Sequence, residues 1–366
     1  MSPRVAIAHD YLTQRGGAER VVLSMMRAFP DAAVHTSLFD PGATYPELAT
    51  SGRVRALPLD RITFLRRHHR AALPFLAPAF ARHRVEADVV VCNSSGWAHG
   101  VRATGAKVVY CQAPARWLYQ REPYLAGAGV LTRAGLALLA PWLTRVDRRA
   151  AASAARYLVN STWTAALVRK VYGIDAEVLA PPVTVDVAAP AEPVPGIEPG
   201  YLLCVSRLLG YKRVDAIVEA CARLPAERLV VVGDGPARAE LAARAPANVH
   251  LLGSVGDAQL RWLYAGAAGL VAAAHEDFGL TPLEAAAFGR PTAAWRGGGY
   301  LDTVVEDETG VLFDTPDPAG IADALVRLRA RAWPEDRLRA HAARFGEDRF
   351  VARLRAVVDE AAARDS

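Results

Sequence analysis

Short, continuous runs of apolar residues recur along the chain and alternate with stretches of helical periodicity such as Ala18–Ala28 and Val214–Arg223. Runs that are apolar without alternation are typical of parallel strands covered by helices on both faces. The pattern therefore predicts an α/β protein built from βαβ units. The predicted strands are Val5–His9, Val89–Asn93, Lys107–Cys111, Tyr157–Asn160, Tyr201–Val205, Leu229–Gly233, Val249–Leu252, Gly269–Ala273 and Thr292–Trp295.

A linker-like segment divides this series of strands near the middle. Ala189–Gly200 contains four prolines and two glycines and ends where Tyr201 begins a new apolar run. A chain of 366 residues is long enough for two domains. We therefore predict two α/β domains of similar size, divided near residues 185–200. Doubly wound sheets bind ligands at the carboxyl ends of their strands, so we expect the site in a cleft between the domains.

The composition is typical of a globular protein and does not identify a ligand. Charged residues make up 22% of the chain and the formal net charge is +5, which permits anionic partners but identifies none. The four cysteines form no C-x-x-C pair, and we expect buried free thiols in a reducing cytoplasm. We expect no signal peptide, because an apolar strand follows almost at once, and no apolar run reaches the ~20 residues that span a bilayer.

Two glutamates flank the most informative segment, which follows a predicted strand and opens a helix. Glu276 lies in the strand-to-helix turn, and Glu284 lies in the first turns of the helix, after Pro282. Backbone N–H groups at such a helix start attract phosphate, and the carboxylates can accept hydrogen bonds from sugar hydroxyls. From these residues alone, a capped helix with two solvated glutamates is the alternative.

Two cations follow the first strand of the second half. Arg207 and Lys212 lie between Tyr201–Val205 and the helical stretch Val214–Arg223. An arginine fork combined with a lysine point charge is a common way to hold phosphate groups. Two solvated cations on a surface loop are the alternative.

Glycine-rich turns occur at two further strand-to-helix junctions. Gly16 and Gly17 follow the first strand, and Gly233 follows the second strand of the second half. Glycine lets a ligand approach the backbone closely. Neither turn is a G-x-G-x-x-G fingerprint, so a nicotinamide-dependent dehydrogenase is disfavoured. Walker, H-E-x-x-H and cysteine–histidine metal motifs are also missing from the sequence, and we predict no metal cofactor.

In order and spacing, these motifs resemble the donor-binding half of glycosyltransferase family 4, a group of retaining enzymes with the GT-B fold. The first half also resembles a subgroup rich in bacterial mannosyltransferases of polysaccharide and lipid-linked glycan assembly. The resemblance implies an N-terminal acceptor domain at 1–185, a donor domain at 186–345, and a C-terminal helix at 346–366 that returns to the first domain. The segments that carry it are Arg207…Lys212, Gly233-Asp234-Gly235, Glu276…Glu284, His9–Leu12, Gly16–Arg20, Asn93–Gly100, Tyr110–Trp117, Asn160-Ser161 and Ala180–Val183.

The resemblance also implies roles for individual residues on the donor side. Arg207 and Lys212 would hold the diphosphate, with Gly233 in the same donor site. Glu276 would hold hydroxyls of the transferred sugar, and Glu284 would bind the ribose. The catalytic group would be Glu276 with Arg207 and Lys212, and the assisting backbone N–H groups would be those of Phe278, Gly279 and Leu280.

On the acceptor side, the resemblance implies that Gly16 and Gly17 approach the phosphates and the acceptor, and that Asp10 contacts the acceptor. Gln112 stands where many relatives have histidine. Its neutral amide can still hydrogen-bond a sugar but cannot relay a proton. His99 stands where relatives often have lysine, and a structural or solvated histidine is the simplest expectation for it.

One segment of the first half combines basic and apolar residues in a way that is compatible with membrane contact. Residues 61–84 contain six arginines and three histidines among residues such as Phe64, Leu73 and Phe75. Such a segment can rest on anionic lipid at the inner face of the cell membrane, and the alternative is a surface helix pair with a solvated basic face.

The predicted function is transfer of a hexosyl group from a nucleoside diphosphate sugar to a hydroxyl of a glycan, a lipid-linked acceptor or a small molecule. Guanosine diphosphate mannose is favoured through the resemblance, with a UDP-, ADP- or dTDP-sugar and a soluble metabolite as the alternative. The alternatives of other classes are an epimerase or phosphorylase with the GT-B fold and a non-catalytic nucleotide-sugar-binding assembly partner. The phosphorylase is disfavoured, because the sequence contains no motif for inorganic phosphate or pyridoxal phosphate. A nucleic-acid binder is disfavoured, because the basic residues are spread out and no known binding module occurs.

Overall fold

A computed structural model describes residues 3–120 and 129–365, with side chains except those of 69–71, 73, 74, 130–132 and 365. The chain divides into two compact units. One holds the described residues up to Pro182 together with those from Glu347 onward, and the other is Val183–Gly346.

The first unit is built on a parallel sheet. Seven of its described strands pair in the order β3-β2-β1-β5-β7-β8-β9, and two short strands, β4 and β6, pair with each other beside it. Central strands such as β5 are buried along their whole length, as their continuous apolar runs predict. The strands are β1 (Val5–His9), β2 (Ala33–Thr36), β3 (Val54–Ala56), β4 (Arg84–Val85), β5 (Val89–Ser94), β6 (Arg102–Ala103), β7 (Ala106–Cys111), β8 (Arg156–Val159) and β9 (Glu177–Val178).

Helices cover both faces of this sheet. Alternate residues of β1 and β5 point to opposite sides, so that Ile7 and Val91 join one apolar core while Ala8 and Cys92 join another. Short 3₁₀ helices lie at Pro58–Arg61 and Ala98–Gly100. The α-helices are α1 (Gly17–Ala28), α2 (Pro46–Thr50), α3 (Thr63–Arg67), α4 (His69–Arg82), α5 (Arg116–Tyr119), α6 (Val130–Ala152) and α7 (Thr162–Tyr172).

The second unit repeats this plan with a six-stranded sheet within its described residues. Its strands pair in parallel in the order β12-β11-β10-β13-β14-β15. The order reverses beside β10, the first strand of the unit, which is the place where doubly wound sheets bind ligands. The strands are β10 (Leu202–Val205), β11 (Leu229–Val232), β12 (Val249–Gly253), β13 (Gly269–Ala272), β14 (Thr292–Trp295) and β15 (Gly310–Phe313).

Helices also cover both faces of the second sheet, because Leu202 and Val231 join one core while Leu203 and Val230 join the other. A 3₁₀ helix lies at Gly210–Lys212. The α-helices are α8 (Val214–Ala222), α9 (Arg238–Arg244), α10 (Asp257–Gly266), α11 (Leu280–Ala287), α12 (Tyr300–Thr303), α13 (Pro318–Arg329) and α14 (Glu335–Ala343). The predicted α/β class with two Rossmann-like parallel sheets is confirmed.

The last helix, α15 (Glu347–Asp365), belongs to the first unit. Its buried residues Phe350, Leu354 and Val357 complete the core on the α1 side of the sheet. The Phe350 ring meets the edge of Tyr110 with centroids 5.7 Å apart. Arg353 adds an ion pair to Glu177, with Nε 2.6 Å from Oε1. Helix α15 is therefore an integral part of the first sheet's packing.

Candidate functional site

The predicted donor-side residues lie on loops at one edge of the second sheet. Arg207 and Lys212 follow β10, Gly233 follows β11, and Glu276 follows β13. These strands are neighbours in the order β11-β10-β13, and all are parallel, so their carboxyl ends share one edge. Helix α11, which carries Glu284, begins in the same place.

Lys212 and Glu276 make the main polar contact of this edge. The Lys212 ammonium donates to Glu276 Oε1 and joins the loop after β10 to the loop after β13. The Lys212 side chain is 9% exposed and that of Glu276 is 26% exposed. The ammonium also lies 5.0 Å from the centroid of the Tyr211 ring. A buried lysine needs such partners, because an unpaired charge is costly away from water.

Arg207 is placed differently from Lys212. Its side chain is exposed, and Nη2 donates to the Tyr211 hydroxyl at 3.2 Å. Among the described residues, no carboxylate lies within ion-pairing distance of Arg207. Its guanidinium fork therefore remains available to an anion beside the Lys212–Glu276 pair.

Gly233 is required by the way two loops interlock. Its φ of +132° is in a region that side chains rarely adopt, and a Cβ there would lie 1.9 Å from the Ser206 carbonyl oxygen. The Leu208 amide donates to the Asp234 carbonyl at 2.9 Å and ties the same loops together. The Gly233 turn thus supports the backbone on either side of Arg207.

The loop after β14 supports the Glu276 loop in the same manner. The Gly299 amide donates to the Glu276 carbonyl at 2.8 Å, and a Cβ on Gly298 would lie 2.3 Å from that oxygen. Gly279 has a φ of +87° and packs directly on the ring of Tyr300. Sequence reasoning missed Gly298, Gly299 and Tyr300, although the run of glycines after the predicted strand Thr292–Trp295 was an available signal.

The first turn of α11 presents backbone donors to this edge. The helix begins at Leu280, two residues before the proline that was predicted to mark its first turn, and Gly279 is its N-cap. The first N–H groups of a helix have no acceptor within it and carry partial positive charge. Phe278 is buried and packs 6.0 Å from the Phe345 ring, so it contributes its backbone rather than its side chain.

Glu284 lies on α11 with its own partner. The buried Tyr264 hydroxyl donates to Glu284 Oε2 at 2.8 Å, and the Tyr264 ring stacks on Phe288. Glu284 is therefore held in one orientation by a hydrogen bond that is distinct from the Lys212–Glu276 contact.

In the first unit, Asp10 holds the loop that follows β5. Its Oδ1 accepts hydrogen bonds from the amides of Trp97 and Ala98 at 2.8 and 2.7 Å, and Oδ2 accepts one from Ser95 at 2.5 Å. The side chain is buried, so both oxygens serve the loop. This places Asp10 as a positioning residue for Ser95–Ala98, while direct contact with an acceptor stays a prediction.

Gly16 and Gly17 form the start of α1, with Gly16 as the N-cap. Behind them, the buried Glu19 accepts a hydrogen bond from Gln14 at 3.1 Å and lies 3.9 Å from His9 Nε2. Burial alone lowers the pKa of His9, but the hydrogen bond and the charge of Glu19 outweigh it and raise this pKa above 6.5. Sequence reasoning did not assign this pair.

Gln112 lies in a row of polar side chains at the carboxyl ends of β5, β7 and β8. Its Nε2 donates to Asn93 Oδ1 at 2.9 Å, and its Oε1 accepts from Asn160 Nδ2 at 3.3 Å. Asn160 Nδ2 also donates to the Gln112 carbonyl at 2.9 Å. An amide that both donates and accepts suits this position, because each neighbour is also an amide. The signal for Asn93 and Asn160 was a polar residue at the end of an apolar strand.

His99 belongs to a buried cluster. Its Nε2 lies 3.0 Å from Asp147 Oδ1, and its Nδ1 lies 2.9 Å from Ser94 Oγ. Asp147 Oδ2 accepts hydrogen bonds from the hydroxyls of Tyr119 and Tyr172 at 2.6 and 2.8 Å. The cluster ties α6 to the loop after β5, which gives His99 a structural role.

The four cysteines agree with the expectation of buried free thiols. All four cysteines are free and buried, and burial raises the pKa of Cys92, Cys204 and Cys221 to about 12. Within residues 3–120 and 129–365, no group of three histidine, cysteine, aspartate or glutamate side chains is arranged to hold a metal ion. In the described part of the chain, no helix is long and apolar enough to cross a membrane.

Known proteins match both units. Residues 15–187 match the family model Glycosyltransferase Family 4, and residues 199–331 match the model Glycosyl transferases group 1. Both units of the chain therefore carry glycosyltransferase domains. The two matches include all the predicted donor-side residues and all the predicted acceptor-side residues except Asp10.

Curated relatives resemble parts of this chain. Glycogen synthase of Thermus thermophilus is 38% identical over 154 residues, which are 40% of this chain and 35% of the relative. D-inositol 3-phosphate glycosyltransferase of Xylanimonas cellulosilytica is 32% identical over 213 residues, which are 52% of this chain and 51% of the relative. The alignments thus span about a third to a half of these relatives.

A solved structure matches nearly the whole chain. Anabaena HepE in complex with UDP-glucose superposes with a TM-score of 0.68 over 98% of this chain and 100% of that chain, at 16% identity. At this identity the likeness concerns the fold, and the predicted GT-B fold is confirmed.

Proposed function

We propose that this chain transfers a hexosyl group from a nucleoside diphosphate sugar to an acceptor hydroxyl, with retention of the anomeric configuration. The observation that carries the proposal is the contact of Lys212 with Glu276 at the carboxyl edge of the second sheet, beside Arg207 and the start of α11. Cationic side chains and helix amides suit a diphosphate, while a carboxylate suits sugar hydroxyls.

The lysine also makes the carboxylate compatible with an anionic donor. An ionised Glu276 close to a diphosphate would repel it, and the Lys212 ammonium offsets that repulsion. When the donor binds, its phosphate oxygens compete with Glu276 for the ammonium. Glu276 then turns one oxygen toward sugar hydroxyls, which requires only a small movement of a quarter-exposed side chain.

The proposed chemistry exchanges one bond at the anomeric carbon. The bond from this carbon to the diphosphate oxygen breaks, and a bond to the acceptor oxygen forms on the same face. The acceptor proton passes to the leaving diphosphate oxygen. Lys212, Arg207 and the first amides of α11 stabilise the negative charge that develops there, so these steps need no metal.

Guanosine diphosphate mannose is the proposed donor, through the resemblance to mannosyltransferases. The alternative is a UDP-, ADP- or dTDP-sugar, and the HepE complex with UDP-glucose is a reason to test uridine first. A thermal-shift screen with GDP, UDP, ADP and dTDP distinguishes them, because a ligand near 100 times its Kd stabilises by about 2.7 kcal/mol. We expect GDP to give the largest shift, and a larger shift with another nucleotide would reassign the donor.

The proposed acceptor is a hydroxyl of a glycan, of a lipid-linked glycan or of a small molecule, used in the cytoplasm at the inner face of the membrane. Residues 61–84 support membrane contact in part. Phe64 and Phe75 are 61% and 54% exposed, whereas Leu76 and Phe80 belong to the core. The side chain of Leu73, part of the predicted surface, lies outside the described residues.

An assay with and without acceptor tests the class of reaction. Transfer requires that product forms only when a hydroxyl acceptor is present. Conversion of the donor at the same rate without acceptor would favour an epimerase or a hydrolase. Nucleotide binding without any turnover across acceptors would favour a non-catalytic assembly partner.

A further inference from the structure

Helix α6 has an apolar face that is exposed in the described part of the first unit. Leu138, Leu139 and Trp142 are 82%, 42% and 49% exposed. Leu138 and Trp142 are four residues apart and therefore neighbours on the helix surface. We define the α6 outer face as these three residues with the exposed Arg145 and Arg149.

The opposite side of α6 packs against the rest of the first unit. Ala140, Leu143, Asp147 and Ala151 are buried at spacings of three and four residues, as expected for one helical stripe. Single exposed apolar residues are common and need no explanation. Here, however, three large ones lie together in a stretch, 134–144, that contains no charged residue. Such a contiguous patch is typical of an interaction surface.

The charges of α6 indicate what this surface meets. Arginines lie on both sides of the apolar stretch, at Arg133, Arg145, Arg148 and Arg149. The single acidic residue of the helix, Asp147, is fully buried and accepts hydrogen bonds from two tyrosines. The exposed part of α6 is therefore apolar and cationic, with no carboxylate.

The neighbouring segment, residues 61–84, is also apolar and cationic. Helix α4 packs against α6, and no acidic residue occurs between Arg61 and Arg84. Phe64 and Arg67 of α3 are both exposed. Two nearby described parts of the first unit thus combine exposed aromatic side chains with exposed arginines.

An anionic lipid surface fits these features better than a second copy of the chain. Self-association through the α6 outer face would bring the arginines of two copies together, and like charges oppose such an interface. Lipid head groups supply negative charge next to an apolar layer, and tryptophan favours that boundary. Helix α6 cannot cross the bilayer, so it would lie at the surface.

We infer that the α6 outer face docks on anionic lipid, with Leu138 and Trp142 at the level of the acyl chains and Arg145 and Arg149 at the head groups. This extends the membrane contact suggested for residues 61–84 to a second, separate helix. It rests on the proposed function only in that a lipid-linked acceptor would lie at the same surface. Docking itself needs neither donor nor acceptor.

Sedimentation of the full chain with vesicles tests the inference. We expect binding to phosphatidylcholine mixed with phosphatidylglycerol and little binding to phosphatidylcholine alone. The double variant Leu138→Ser/Trp142→Ser removes two apolar contacts with the lipid and should weaken binding at least ~10-fold. Arg145→Glu/Arg149→Glu should weaken it by a similar factor, and raised salt should weaken the wild type as well.

Control variants carry substitutions of the same kind elsewhere in the chain. Leu301→Ser changes an equally prominent residue of the second unit, which is 53% exposed. Arg349→Glu/Arg364→Glu reverses two exposed charges on α15. Both controls should bind vesicles as the wild type does. Unchanged thermal unfolding of each variant confirms that folding is retained.

Several outcomes would overturn the inference. One is that the wild-type protein does not sediment with the mixed vesicles. Another is a loss on Leu301→Ser equal to that of the α6 variant. A third is an α6 variant that changes oligomeric state without lipid and still binds vesicles, which would make the face a protein interface. Nucleotide thermal shifts on the same samples keep a failure of docking separate from a failure of the transferase proposal.

Discussion

The Lys212 ammonium donates a hydrogen bond to the Glu276 carboxylate, although 64 residues separate the two along the chain. The contact joins the loops that follow β10 and β13, which are adjacent strands of the second sheet. Neither side chain is needed for the core of the unit. A nearly buried cation and a partly exposed anion at the end of a parallel sheet are better explained by ligand binding than by stability, because such pairs contribute little to folding.

Glu276→Gln keeps the shape of the side chain and removes its charge. We expect the rate of transfer, kcat, to fall by on the order of 100-fold, because an oriented charged acceptor for sugar hydroxyls is lost. We also expect some loss of thermal stability, because the nearly buried Lys212 keeps only a neutral partner, so kcat is measured at a temperature at which the variant is folded. The matched control is Glu198→Gln, an exposed glutamate of the same unit. Near wild-type turnover of the Glu276 variant would exclude this residue from the sugar site.

Gly233→Ala should destabilise the second unit, since the new Cβ would occupy the position of the Ser206 carbonyl oxygen. We expect a loss of ~1–3 kcal/mol in the free energy of unfolding and weaker nucleotide binding through the displaced Arg207 loop. Gly256→Ala is the control, because a methyl group added there would have no neighbouring atom within 4 Å. Equal unfolding curves for the two variants would show that the loops do not interlock as described.

Gln112→Ala removes hydrogen bonds to both Asn93 and Asn160. We expect a loss of ~1–2 kcal/mol in stability, because Asn93 Oδ1 loses its donor and Asn160 Nδ2 keeps only its bond to the backbone carbonyl of residue 112. Gln112→His tests the departure from the family pattern: a single ring cannot reproduce both amide contacts, so part of this loss should remain. The check is denaturant unfolding together with nucleotide affinity. A Gln112→Ala variant as stable as the wild type would mean that the polar row is not a supporting network.

The ion pair of Arg353 with Glu177 predicts a pH dependence of the packing of α15. The hydrogen bond from Arg353 is the main cause that lowers the pKa of Glu177 below 4.5. A depressed folded-state pKa gives stability that is present above 4.5 and is lost as the pH falls through the lower value. The Tm difference between wild type and Glu177→Gln should therefore shrink on acidification. A Tm difference between the two proteins that stays constant as the pH falls below 4.5 would contradict the pairing.

The central strands could be predicted because a strand that is buried on both faces has apolar residues at nearly every position, which makes a continuous apolar run in the sequence. Strands β1 and β14 have the predicted bounds, and β5, β7 and β10 differ by one residue at one end. The edge strand β3 and its neighbour β2 were not predicted, because His35 and Arg55 interrupt their short apolar pattern. Helix α6 was also not predicted, since Gly135 and Pro141 and its exposed leucines hide the helical period.

The site could be predicted only where the functional residues lie close together in the sequence, within one loop. Glu276 with the following helix start, and Arg207 with Lys212, are local patterns that sequence displays directly. The support given by Tyr300 to Gly279 and by Gly299 to Glu276 depends on contacts between loops of different strands. Tertiary packing determines those contacts, and no periodicity in the sequence reports them.

The central claim is that Lys212 and Glu276 belong to a diphosphate-sugar site. Calorimetric titration of the preferred nucleoside diphosphate into wild type and Lys212→Ala tests it most directly, with the exposed Lys170→Ala as control. We predict affinity weakened by about 10- to 100-fold for Lys212→Ala, partly restored in Lys212→Ala/Glu276→Gln because the repelling carboxylate is gone. Equal affinities for wild type and Lys212→Ala would contradict the account.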